Sequence, residues 1–203
     1  MPSDNSNQEI KDRIALRFSD HIKHINSALD KLVPEISLSA EKIVTALLSE
    51  NKILVCGNGS STILCQYFAS EFINRFETER PALPAIALSV DNSVIACICN
   101  DYHFDEVFAR QVQALGQKND ILLVFVSNEL TNSIVHAVQA AHEQDMQVII
   151  ICGESSEDIT PYIEDNDQII QIPLLNPSHI LELQLLSVHC ICDLIDHLLF
   201  GTP

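Results

Sequence analysis

The sequence predicts an α/β fold: a doubly wound, five-stranded parallel sheet with N-terminal helices before it and one long helix after it. Three observations predict it. Five short apolar runs recur at 53–56, 85–88, 121–126, 148–151 and 168–172. They are continuous rather than alternating, as strands covered on both faces are. Helical segments fall between them, near 61–76, 104–115, 131–143 and 158–163, which is the strand–helix rhythm of a parallel sheet. The first run also breaks directly into Gly57-Asn58-Gly59 and then Ser60-Ser61-Thr62, a strand, a glycine turn and a helix start.

Taken in order, residues 8–32 place Ile10, Ile14, Phe18, Ile22, Ile25, Leu29 and Leu32 at helical spacing, and Pro34 is expected to end that helix. A second helix is expected over 39–48, with Ser39 as its N-cap. Lys52 opens the strand–helix rhythm, so the chain divides at 1–50, a helical segment, and 51–203, the sheet domain. Gly116 closes the helix at 104–115. The last segment, 178–199, is apolar nearly all round, from Leu181 and Leu183 to Leu198 and Leu199. Such a helix is buried, and a fold of this size has few places to bury it. It and the N-terminal helix are therefore expected to pack against other subunits.

Composition narrows the function. The 203 residues carry a formal net charge of −17. That surface repels phosphate backbones and argues against direct nucleic-acid binding. Small anions remain possible ligands, because backbone N–H groups bind them locally. The N-terminus is polar, without a signal peptide, and the most apolar window, 180–200, carries Glu182, Asp193 and Asp196, so no membrane span is expected. The seven cysteines sit mostly inside apolar runs and read as reduced core thiols of a cytoplasmic protein. The CxC pairs 97/99 and 190/192 lack the usual zinc spacing. His21 and His24 share a helix face without a third ligand, and His103 lies in the "NDYHFDE" loop.

Ligands of open parallel sheets bind where strand C-termini meet helix N-termini. This directs attention to 57–62, 89–93, 127–133 and 152–157. The turn at 57–59 is neither GxxxxGK[ST] nor GxGxxG, so a nucleotide is not indicated. On its residues alone it is either an anion cradle or a tight turn capped by Ser60 or Ser61.

Longer segments carry a resemblance. "CGNGSS", "FINRFETERPALPAIAL" (72–88), "CNDYHFDEVFARQVQALGQKNDILL" (99–123) and "CDLIDHLLF" (192–200) resemble the SIS-domain proteins of the phosphoheptose isomerase (GmhA)/DiaA group over roughly 8–200. The likeness is closest to the DiaA branch, whose members associate with a replication initiator. The resemblance implies a flavodoxin-like sheet, a homotetramer with four long helices packed centrally, and a phosphosugar pocket between subunits.

It also implies site residues. Isomerisation needs a base beside the carbonyl and an acid opposite. Glu71 stands at the family's base and His189 at its second histidine. Family isomerases hold zinc with His, Glu, Gln and His; here Tyr67 and Leu181 stand at the first histidine and the glutamine. No cofactor is therefore expected, and zinc only if Glu71 and His189 suffice. Without metal, Glu71 and His189 are either an acid/base pair or structural, Glu71 paired across a subunit contact and His189 in the core. Sugar-contacting positions keep Asn58, Gly59, Ser60, Arg75, Asn100 and Asp101. The phosphate turn keeps hydroxyls at Ser127 and Thr131, but Glu129 replaces its glycine. A carboxylate about 4 Å from a phosphate charge costs roughly 1–4 kcal/mol.

The functional expectation that follows is a DiaA-like adaptor, a homotetramer that presents Leu199 and Phe200 to a DnaA-type initiator protein. The alternatives are a phosphoheptose isomerase acting on sedoheptulose 7-phosphate, or a phosphosugar-binding sensor without chemistry.

Overall fold

A computed structural model describes residues 4–127 and 129–201, with the backbone alone at 4–6 and 155–158. Five strands form one parallel sheet: β1 (Ile53–Gly57), β2 (Ala85–Ala87), β3 (Ile121–Val126), β4 (Gln147–Gly153) and β5 (Gln168–Ile172), in the order β2-β1-β3-β4-β5. Six α-helices surround it: α1 (Asp4–Leu48), α2 (Ser61–Ile73), α3 (Asn92–Asp101), α4 (Ala109–Leu115), α5 (Asn132–Glu143) and α6 (Pro177–Phe200).

The continuous apolar runs are explained by two cores. Ile53, Val55, Leu123, Phe125, Ile149 and Ile151 point to the face covered by α1, α2 and α6. Leu54, Cys56, Leu122, Val124, Val148 and Ile150 point to the opposite face, under α4 and α5. A strand with both faces dry has no place for polar alternation.

The N-terminal expectation is corrected. Pro34 does not end the first helix: α1 runs unbroken for 45 residues with Pro34 inside it, about 68 Å at 1.5 Å per residue. An interior proline costs about 3 kcal/mol. Burial of Ala28, Leu32, Ile36, Ala40 and Ile43 along the same face offsets it. Ser39 is no cap either; its buried hydroxyl donates to the Glu35 carbonyl at 2.8 Å, inside the helix. Glu35 and Lys31 tie α1 to β5, the carboxylate accepting from the Gln171 N–H and the ammonium donating to Gln171 Oε1, both at 2.8 Å. Helix α3 was not expected. Asp91 caps it, Oδ1 accepting from the N–H groups of Ser93 and Val94. Its single buried residue, Ile98, leaves no periodic stripe to read.

By length and composition α6 is apolar enough to cross a membrane, against the expectation that no segment is. In this fold it is a core helix. It packs on α1, α2 and the sheet, and its inner face carries buried Gln184, Ser187 and Asp196 among the apolar residues. Much of its apolar surface is still open: Leu185, Leu186, Leu198 and Phe200 are exposed, as are Ile10, Ile14, Phe18 and Ile22 of α1.

Candidate functional site

Strand order reverses between β1 and β3, and their C-terminal ends open into a cleft of about 360 Å³ lined by Asn58, Gly59, Ser60, Ser127, Glu129 and Thr131, among others. This is the switch point where doubly wound sheets bind ligands. Two glycines shape it. A Cβ at Gly57 would lie 2.9 Å from both the Phe125 carbonyl oxygen and Ser61 Cβ, so only glycine lets the turn pass beside β3. Gly59 sits at φ +58°, in the left-handed region. Gly57→Ala is expected to cost about 1–3 kcal/mol through overpacking, lowering Tm by roughly 2–12 °C in a chain of this size. Thermal unfolding checks this; an unchanged Tm would mean the turn tolerates a side chain.

The cleft is built on a buried polar chain. Gln184 Nε2 donates to the carbonyls of Val126 and Ile151, at 3.1 and 2.8 Å, which fixes its oxygen toward Ser127. Ser127 spends its proton on Gln184 Oε1 at 2.7 Å. Ser61 must then be the donor in its 2.8 Å contact with Ser127 Oγ. Asn58 donates to Thr131 Oγ1 and Ser133 Oγ, both at 2.8 Å, locking the first loop to the start of α5. Neither Ser60 nor Thr131 makes a side-chain cap bond. The positive ends of α2 and α5 thus converge on the cleft with hydroxyls between them, a setting that favours a phosphate. Glu129 is exposed at its lip. Asn128, in the same turn, lies outside the described residues.

A second cluster lies further along α2. The Tyr67 hydroxyl and His189 Nε2 are 3.1 Å apart, with the rings edge to face, and Phe76 packs beside the imidazole. Burial, then the charge of Glu71 one turn on, push the Tyr67 hydroxyl up from its usual range. Glu71 itself is half-buried. Arg80 holds this end of α2. Its guanidinium donates to Asp196 Oδ1 at 2.6 Å, to Glu71 O at 2.7 Å, and to Phe72 O and Pro81 O at 3.0 Å.

Within one chain the two clusters are separate. Tyr67, Glu71 and His189 do not line the cleft; Tyr67 and Glu71 lie about 9–15 Å along α2 from Ser61. Arg75 donates to the carbonyls of Phe76 and Glu77 and stays outside it. Asn100 and Asp101 are exposed at the end of α3, bonded to each other at 2.9 Å. His103 is exposed before a 3-10 turn, Phe104–Glu106. His21 pairs with Glu182 at 2.7 Å, and His24 packs against His179 with the rings tilted by 45°. Among the described residues no three or more His, Cys, Asp or Glu side chains gather as a metal would require. Cys56, Cys65, Cys152 and Cys192 are buried free thiols, burial pushing Cys152 up to about 12. Leu181 is half-buried and packs against the first core, as does Leu199; Phe200 is exposed at the helix end.

Sequence reasoning missed Gln184, Ser133, Arg80 and Asp196. The single glutamine of an apolar helix and one of its two aspartates were the available signals for two of them. Arg80, in the charged run "ETERP", reads as surface.

Comparison with known proteins agrees with this architecture. The SIS domain family model matches residues 17–153. The chain belongs to the SIS-domain family. It is 45% identical over 190 residues, 94% of this chain and 97% of the other, to a phosphoheptose isomerase of Methylococcus capsulatus. Two solved structures superpose closely. A phosphoheptose isomerase from Francisella tularensis gives a TM-score of 0.85 at 36% identity, covering 92% of this chain and 97% of that one. Phosphoheptose isomerase GmhA from Neisseria gonorrhoeae gives 0.86 at 35%, covering 92% and 98%. These likenesses place the chain in the phosphoheptose isomerase (GmhA)/DiaA group of the family.

They overturn the adaptor expectation. Relatives that match nearly the whole chain carry the isomerase name, and a DnaA-type partner for Leu199 and Phe200 finds no support among them. The adaptor expectation leaned on lost zinc donors and on an apolar tip. Glu71 and His189 remain where the other two donors are lost, and Leu199 is turned partly into the core.

Proposed function

We propose that this protein is a phosphosugar isomerase, interconverting sedoheptulose 7-phosphate and its aldose isomer. The observation that carries it is Glu71 beside the Tyr67–His189 pair, in a chain 45% identical to a phosphoheptose isomerase. Phosphate is held in the cleft by the Ser60 and Thr131 hydroxyls and by the N-termini of α2 and α5, with Ser127 tied to Gln184 beneath them. Glu71 takes a proton from C1, the C–H electrons form the C1=C2 bond, and protonated His189 gives a proton to the C2 carbonyl oxygen. The enediol then collapses the other way. The C1 hydroxyl returns its proton to His189 as C1=O forms, and C2 takes back the proton held by Glu71.

The separation of the two clusters within one chain supports a site completed across subunits. The exposed apolar faces of α1 and α6 supply surfaces for a homotetramer to cover. Sedoheptulose 7-phosphate turnover, assayed on a sample shown by light scattering to be a folded tetramer, tests the proposal. No turnover by such a sample would overturn it.

A further inference from the structure

We infer that the acid/base cluster of this chain works without a metal ion, with Tyr67 doing by hydrogen bonding what a metal ligand set would otherwise do for His189. Its catalytic half rests on the isomerase proposal; its metal half does not. The observation is a donor set that does not fit zinc. A structural or catalytic zinc takes three or four N, S or O donors. Of the four positions the resemblance assigns to zinc, one is a phenol, one is a leucine packed against the core, and only Glu71 and His189 are ordinary ligands. Among the described residues no third His, Cys, Asp or Glu joins them. One of the two ring nitrogens is also occupied: His189 Nε2 is 3.1 Å from the Tyr67 hydroxyl.

That contact has a consequence for proton handling. In the imidazolium both nitrogens carry protons, and Nε2–H donates to the Tyr67 oxygen. Among the described residues of the chain Nδ1–H has no hydrogen-bond partner, and it is the proton the ring can give away. After it is given, the neutral ring keeps Nε2–H on Tyr67, so the same nitrogen receives the returning proton. Tyr67 is thus a positioning residue: its hydroxyl, able to donate or accept, holds Nε2 and with it the orientation of the His189 ring. Phe76 and the Tyr67 ring limit the swing of the imidazole from two sides.

Zinc binding is the first test, because it needs no turnover. Zinc chloride titrated calorimetrically into the full-length oligomer is expected to give no stoichiometric binding, and the Tyr67→His/Leu181→Gln variant is expected to gain one zinc per chain. One tightly held zinc per wild-type chain, or a folded double variant that gains none, would overturn the assignment. Should the double variant not fold, Tyr67→Phe keeps the ring and removes the hydroxyl. Its 15N spectrum should then show the His189 Nε2 resonance shifted by loss of the hydrogen bond. An unchanged His189 spectrum would defeat the positioning role. For turnover, EDTA is expected to leave the wild type unaffected, and Tyr67→Phe to lower kcat about tenfold with little change in KM. Wild-type turnover that disappears with EDTA and returns with zinc would overturn the inference while leaving the isomerase proposal standing. Absence of all turnover would overturn the isomerase proposal, and the zinc titration would still decide the metal half.

Discussion

Arg80→Leu lowers Tm by roughly 6–20 °C. Arg80 and Asp196 form a buried ion pair whose side chains are 2% and 4% exposed. Truncating one partner of such a pair strands the other charge in a dry site, at a cost of about 3–5 kcal/mol. Each kcal/mol corresponds to about 2–4 °C in a domain of this size. The same substitution also frees the carbonyls of Glu71, Phe72 and Pro81, which Arg80 satisfies across the end of α2. Lysine does not rescue it, because a single ammonium cannot reach Asp196 and three carbonyls in the fork geometry of a guanidinium. Arg80→Leu combined with Asp196→Leu is expected to recover much of the loss, since apolar replacement of a whole buried pair is often neutral. Thermal unfolding of wild type, Arg80→Leu, Asp196→Leu and the double variant forms a double-mutant cycle. A single-variant Tm within about 2 °C of wild type would show that the pair does not anchor α2.

The sheet was legible because its signal is local. β1, β3 and β4 lie between two dry layers, so their apolar runs announce themselves without knowledge of any partner, while the edge strands β2 and β5 keep one face partly open. Breaks in local pattern misled where distant contacts decide. Pro34 ends a helix in a peptide, but here the sheet anchors α1 on both sides of it. The first cleft loop was legible for the same local reason: Gly57, Asn58 and Gly59 sit between a strand and a helix. The partners that make the loop a site were not. Ser127 meets Gln184 across 57 positions of sequence, and Arg80 meets Asp196 across 116. Neither pairing leaves a periodic trace. Tyr67 was legible as a departure from a zinc donor. Its bond to His189, 122 positions away, is what gives the departure its proposed role.

Glu71→Gln is expected to lower kcat by about 100- to 10,000-fold, the usual worth of a positioned general base, with KM changing little. The amide is nearly isosteric with the carboxylate but cannot accept a proton from carbon at neutral pH. The fold is insulated from the change. What ties position 71 to Arg80 is the backbone carbonyl, which glutamine keeps, and the side chain is only half-buried. Tm should therefore stay within a few degrees, which separates this variant from Arg80→Leu, where stability and turnover fall together. The proposed phosphate contacts lie in the other cluster, at Ser60 and Thr131, so substrate affinity has no reason to follow kcat. Glu71→Asp keeps the charge but withdraws it by one methylene, and is expected to fall between the two. Steady-state kinetics on sedoheptulose 7-phosphate measure all three. A Glu71→Gln enzyme with wild-type kcat would assign the base elsewhere. One with raised KM and unchanged kcat would make Glu71 a binding residue, and the proton would then have to leave carbon toward another group of the cluster.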